Sequence, residues 1–303
     1  MTGEPSRGVQ GGYLRTRLLS PFRYPGGKTW LVPTVLQWFA HLGLTCKHYV
    51  EPFAGGSIVG LNIAYCALAE HVTLVELDEG VAAVWQTIIH GDAITFAERI
   101  ATFNLSPESV NEVLSCPPST LQDLAFRTII RNRVNRAGIL APGAGMLQKG
   151  ENGNGIKSRW YPETLRKRIL EISRIKERIT FLQADGLETL RASTTNKHAV
   201  FFVDPPYSAG KTKAAQRLYA HHRIDHQELF DVVGQLAGEF LMTYDDDAYI
   251  RELASHHGYD TKVVKMRTSH HVEKTELLIS RDLRWFDEEA NSKLMTVSGN
   301  SRR

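Results

Sequence analysis

The run Phe201-Phe202-Val203-Asp204-Pro205-Pro206-Tyr207 joins the composition of a buried strand to an abrupt stop. Two prolines remove backbone donors and hold the chain extended, so carbonyls at the strand end have no ladder partner. Asp204 and the Pro205 carbonyl are then placed to accept both N–H bonds of an exocyclic amino group, with the Tyr207 ring stacked on the attached heterocycle. An aromatic amine is a weak nucleophile because its lone pair is delocalised into the ring. Two acceptors on its hydrogens favour the pyramidal geometry of attack, which is stabilisation aimed at the transition state. The alternative is a strand closed by an Asx-type turn with a packing tyrosine.

A second run, Val50-Glu51-Pro52-Phe53-Ala54-Gly55-Gly56-Ser57, leads from a strand through paired glycines into an apolar helical pattern. Glycines at such a turn let a ligand approach the backbone, and the helix start offers free N–H groups. The spacing is not G-x-G-x-x-G, which argues against a pyrophosphate-binding fingerprint. About 20 residues further on, where a Rossmann-like fold holds ribose hydroxyls, a strand ends in Glu76 with Asp78 close behind. Asp185 follows another strand and is a candidate for the adenine end of the same cofactor or, equally, a helix N-cap. The glycines and lysines of 21–29 and 210–212 fail the P-loop spacing, so a kinase or ATPase is disfavoured.

These residues need a scaffold. Short β-branched and aromatic runs at 48–51, 71–76, 179–183, 199–203, 240–243, 262–266 and 276–279 predict strands. Helical patterns at 29–41, 58–69, 80–90 and 226–238 lie between most of them, which predicts an open α/β sheet covered on both faces. The last two strands follow each other without a helix, so an antiparallel pair is expected there. Between 90 and 178 the alternation stops, giving helical patterns at 93–103, 121–135 and 162–176 around a long glycine-rich loop. The expected organisation is a discontinuous α/β domain over 19–90 and 178–287, an inserted, mainly helical unit at 91–177, and loose ends at 1–18 and 288–303.

The 303 residues are 42% hydrophobic and 23% charged, the balance of a globular protein rather than a disordered one. No apolar run suggests a membrane span or signal core, and the three cysteines, Cys46, Cys66 and Cys116, show no zinc or disulfide spacing, so an intracellular protein is expected. The adjacent histidine pairs 221–222, 256–257 and 270–271 lack a supporting carboxylate or cysteine cluster, and no metal is expected. Net charge is only +3, yet residues 125–179 hold thirteen Lys or Arg against four acids, a local +9. That density suits a polyanion partner or a solvated helical face.

In order along the chain, R-Y-P-G-G-K, V-E-P-F-A-G-G-S, V-E-L-D, a basic insertion and D-P-P-Y resemble the Dam-type (D12 class) adenine-specific DNA N6-methyltransferases over about residues 20–286. The resemblance implies a Rossmann-like S-adenosylmethionine-dependent fold, with the insertion as target-recognition domain. By position it implies that Tyr24 and Lys28 contact the methionine part, that Glu51, Phe53, Gly55 and Gly56 belong to the cofactor turn, and that Glu76 holds the ribose. Asp185 would serve the adenine environment, and Asp204, Pro205, Pro206 and Tyr207 the target base, with Asp204 also at the cofactor. DNA contacts are expected from Arg131, Arg133, Arg136, Lys149, Lys157, Arg159 and Arg166. Adjacent Gly55 and Gly56 depart from the F-x-G-x-G spacing of many members, and the loop at 138–158 is unlike the recognition hairpin of the best-known ones. The implied partner is double-stranded DNA, for a cytoplasmic protein that is bacterial or phage-encoded, with or without a companion restriction enzyme. Cytosine N4, RNA or protein as methyl acceptor, or a catalytically silent DNA-binding regulator, stay open.

Overall fold

The computed structural model describes residues 16–23, 27–43, 46–141, 143–150, 153–206, 224–267 and 273–286. Seven strands form one sheet: Cys46–Glu51 (β1), Ala69–Glu76 (β2), Ile179–Gln183 (β3), Ala199–Val203 (β4), Glu239–Asp245 (β5), Asp260–Arg267 (β6) and Glu273–Ser280 (β7). Their order is β3-β2-β1-β4-β5-β7-β6. The first five are parallel, whereas β7 runs antiparallel to both β5 and β6. The architecture is therefore the open α/β sheet that the alternation predicts, of the Rossmann-like kind that the resemblance implies, with the antiparallel pair where no helix intervenes.

Each strand of the centre is apolar for a reason of position. All five residues of β4 are buried, because β1 and β5 flank it and helices cover both faces. On one face Val32–Leu42 (α1), Ile58–Tyr65 (α2) and Glu79–Ile89 (α3) close a core through Trp38, Leu61 and Trp85, none more than 1% exposed. On the other, His226–Gly234 (α9) and Ala248–His256 (α10) cover Phe201, Phe240 and Met242, as does the short helix Gly186–Ala192 (α8). β1 pairs with β2 on one side and β4 on the other, so the chain reverses direction across the sheet at this point. Ligands in open α/β sheets bind outside the carboxyl ends of the strands at such a reversal.

The stretch between α3 and β3 is helical: Ala93–Thr102 (α4), Pro107–Ser115 (α5), Leu121–Val134 (α6) and Pro162–Arg174 (α7). Ser106 and Thr120 close capping boxes at the starts of α5 and α6. Phe96, Ile129 and Ile169 of these helices join the core on the α1–α3 face, so the insertion packs on α3. No helix among the described residues is long and apolar enough to cross a membrane.

Candidate active site

The carboxyl ends of β1, β2, β3 and β4 deliver Glu51, Glu76, Asp185 and Asp204 to one cavity of ≈ 610 Å³. Lys28, Phe53, Gly55, Gly56, Pro205 and Pro206 line the same cavity, so ten of the expected residues converge. Tyr24 and Tyr207 lie outside the described residues.

Asp204 is held from two sides. Thr243 of β5, fully buried, donates to Asp204 Oδ1 at 2.7 Å, and Lys28 Nζ lies 3.0 Å from the same oxygen. Lys28 is itself only 3% exposed and stands 3.4 Å from Glu276 Oε2 of β7. Burial alone would lower the Lys28 pKa, but Asp204 and Glu276 outweigh it and hold the ammonium above its ordinary value. Burial pushes Glu276 up to about 7, against the pull of Lys28 and with repulsion from Asp204. The result is a carboxylate, ammonium and carboxylate row, Lys28 and Glu276 buried and Asp204 partly so, whose geometry is fixed by three separate elements.

The glycine turn is organised by the two acids beside it. Glu76 accepts from the backbone N–H groups of Gly55, Leu77 and Asp78, each at 2.9 Å. Trp85 Nε1 donates to the Gly55 carbonyl at 2.9 Å, and Gly55 has φ +45°, where a side chain would be strained. Glu51 Oε2 accepts from Gly60 N at 2.8 Å, Ser57 Oγ at 3.0 Å and Tyr49 OH at 3.4 Å. Asp185 accepts from Leu187 N and Glu188 N, so it caps α8 while lining the cavity; the two readings of this residue are compatible. At Gly186 an added Cβ would lie 2.3 Å from the Pro52 carbonyl, because α8 begins against the turn.

Two results are expected here. Burial pushes the Glu51 pKa up to about 8 from 4.5, so the native state holds a proton that the unfolded chain has released. Stability must therefore fall as pH rises between these values, with a limiting slope of about 1.4 kcal/mol per pH unit for one proton. Glu51→Gln should flatten that decline in denaturant titrations from pH 6 to 8.5; identical slopes in both proteins would refute the assignment. Gly186→Ala should cost about 1–3 kcal/mol of stability, since backbone rather than a flexible side chain must move. Thermal and urea unfolding measure it, and a change within experimental error would show that the turn and α8 separate freely.

The basic residues divide. Arg136, Lys149 and Lys157 are exposed, and Arg131 and Arg159 partly so. Arg133 corrects the expectation of a surface contact: it is 4% exposed and donates to the Pro21 carbonyl. Its spacing from Phe126, Ile129 and Ile130 puts it on the apolar face of α6. Arg166, likewise expected at DNA, pairs with Glu98 at 2.7 Å and ties α7 to α4. Thr243, Glu276, Gly60 and Gly186 were not singled out for the site. Glu276 begins the apolar run 276–279, but its partner Lys28 is remote in sequence and nothing local signals the pairing. Among the described residues no group of three or more His, Cys, Asp or Glu is placed to hold a metal ion.

Residues 24–111 and 128–271 match the family model described as D12 class N6 adenine-specific DNA methyltransferase. No curated protein matches the chain. Among solved structures, magnesium protoporphyrin IX methyltransferase from Synechocystis is 11% identical, with 83% of this chain and 78% of that one covered and a TM-score of 0.35. Precorrin-6y C5,15-methyltransferase from Geobacter metallireducens is also 11% identical, with 81% and 85% covered and a TM-score of 0.34.

Proposed function

Because the chain belongs to the D12 class of N6 adenine-specific DNA methyltransferases, we propose that it methylates N6 of adenine in double-stranded DNA, on a base rotated out of the duplex. The observation that carries this reading is the Asp204 carboxylate, fixed by Thr243 and Lys28 on the cavity wall beside Pro205. The cofactor is S-adenosylmethionine, which when bound supplies an electrophilic methyl group on a sulfonium sulfur.

The cavity suits that group. Its volume falls in the range of roughly 300–1,000 Å³ common to small-molecule sites. Gly55 and Gly186 keep the turn clear of side-chain bulk, and Glu51, Glu76 and Asp185 supply hydrogen-bond acceptors for a group bearing ribose hydroxyls. Glu76 would hold the ribose and Asp185 the adenine environment, while Phe53, Gly55 and Gly56 line the turn. Lys28 and Tyr24 would serve the methionine part, with Glu51 beneath it.

At the target, Asp204 and the Pro205 carbonyl accept the N6 hydrogens, Pro206 keeps the segment extended, and Tyr207 stacks on the base. As the amine becomes cationic, its charge develops beside a carboxylate that needs no reorganisation. The base must leave the stack for its amino group to reach this wall. Residues 19–90 and 178–287 carry the chemistry, and 91–177 form the target-recognition unit. There Arg131, Arg136, Lys149, Lys157, Arg159 and Arg166 contact mainly phosphates.

Transfer of labelled methyl groups from S-adenosylmethionine to unmethylated duplex DNA tests the reading. N6-methyladenine in a fixed short context is the expected product. N4-methylcytosine, label in RNA or protein alone, or cofactor binding without turnover would each overturn it.

A further inference from the structure

Arg133 is a buried cation with few partners. It is 4% exposed, donates to the Pro21 carbonyl, and leaves its Nε without a hydrogen-bond partner. Two more guanidinium groups stand near enough to repel it, Arg168 and Arg23. Arg168 of α7 is partly buried and donates to the Ser20 carbonyl at 2.9 Å. Arg23 is set in place through its backbone by Asn132 of α6: its N–H donates to Asn132 Oδ1 at 2.9 Å, and Asn132 Nδ2 donates to its carbonyl at 2.8 Å. Gly138, at φ +77°, completes this arrangement, since a Cβ there would lie 2.2 Å from the Arg23 carbonyl oxygen.

Burial first, then Arg168 and Arg23, lowers the Arg133 pKa to about 9. Burial lowers those of Arg23 and Arg168 as well, and Arg159 adds further repulsion on Arg23. Among the described residues the one carboxylate acting on the trio is Glu171, on Arg168. Like charges held out of water destabilise a fold unless an anion compensates them. Yet the segment before Lys28, α6 and α7 all contribute to holding these three together, and Arg23 and Arg168 face the cavity.

We propose that Arg23 and Arg168, with Arg133 behind them, form an oxyanion site on the cavity wall, and that its occupant is a backbone phosphate of DNA next to the extruded base. This rests on the reading of the chain as a DNA methyltransferase. Guanidinium forks match phosphate oxygens, and a contact at the junction of the insertion and the sheet fixes the register of the strand over Asp204. The carboxylate of S-adenosylmethionine has the same chemistry and is the competing occupant.

The test uses Arg23→Gln, Arg168→Gln and the pair in the full-length protein, because a buried Arg133 substitution risks the fold. Affinity for an unmethylated duplex is measured against salt concentration, and S-adenosylmethionine affinity by calorimetry without DNA. Loss of one phosphate contact should flatten the slope of log K against log salt by about 0.9 and weaken DNA binding about tenfold at low salt, leaving cofactor affinity within about twofold. Arg168→Lys, which keeps the charge but loses the fork, should retain the slope. A cofactor affinity reduced about tenfold or more with the DNA slope intact would overturn the phosphate and give the site to the carboxylate. Unchanged slope and unchanged cofactor affinity would overturn the anion site. Wild-type protein that binds no duplex refutes the DNA reading itself, a result distinct from wild type that binds and variants that match it.

Discussion

Asp204→Ala will transfer methyl groups on the order of 10²–10³-fold more slowly than wild type, the range found when one fixed group facing developing charge is removed. The loss should fall on kcat. Substrate binding draws on the whole cavity, whereas the Asp204 carboxylate matters most when the attacking amine carries positive charge. Cofactor affinity measured by calorimetry should change much less than turnover, because Glu51, Glu76 and Asp185 are untouched. Asp204→Asn keeps an acceptor for the hydroxyl of Thr243, 2.7 Å away, but loses the negative charge. It should therefore be nearly as slow as alanine while unfolding at a temperature closer to wild type. Near-normal turnover in either variant would remove Asp204 from the chemistry and leave it a strand-terminating residue.

Lys28→Met will have the largest effect on stability. Lys28 is 3% exposed and lies between Asp204 and Glu276, at 3.0 and 3.4 Å. An apolar side chain of similar length fills its volume but leaves two carboxylates without their cation, and breaking a buried pair from one side costs about 3–5 kcal/mol. The sign of the pH dependence follows. Glu276 already has its pKa pushed up to about 7 with the ammonium present. Without Lys28 it must rise further, so the native state binds more protons than the unfolded chain across neutral pH. The variant should then gain stability as the pH falls from 8 to 6, more steeply than wild type. Adding Glu276→Gln to Lys28→Met should recover part of the loss, since one of the two stranded charges is gone. Urea titrations at both pH values decide the matter: a Lys28→Met penalty below about 1 kcal/mol would mean that solvent, not the ion row, neutralises these groups.

The strands were legible in the sequence because burial on both faces demands continuous apolar runs, as in Ala199–Val203, and each run ends in a turn residue or a carboxylate. The helices with a clear apolar face were legible for the same reason. α5 and α10 were not among the expected helices. α5 buries only Val110, and α10 lies in a polar stretch with three buried residues, so both are amphipathic but hold too few apolar residues to stand out from their polar surroundings. Arg133 failed in the opposite sense. A cluster of arginines reads as surface until the position of each around the helix is counted against its apolar neighbours.

For the site, local sequence shows which carboxylates end strands and where glycines open a turn, because both are local consequences of chain direction and backbone freedom. Glu76, Asp185 and Asp204 can be singled out on that basis, and Lys28 and Glu51 through the family resemblance of the motifs around them. Which of them touch depends on the three-dimensional packing. Thr243 reaches Asp204 because β5 pairs with β4, and Glu276 reaches Lys28 because β7 inserts antiparallel between β5 and β6. Arg23, Arg133 and Arg168 meet because Asn132 grips a segment more than a hundred residues earlier in the chain. Strand order and long-range packing set these contacts through the burial of whole faces, and no window of neighbouring residues encodes them.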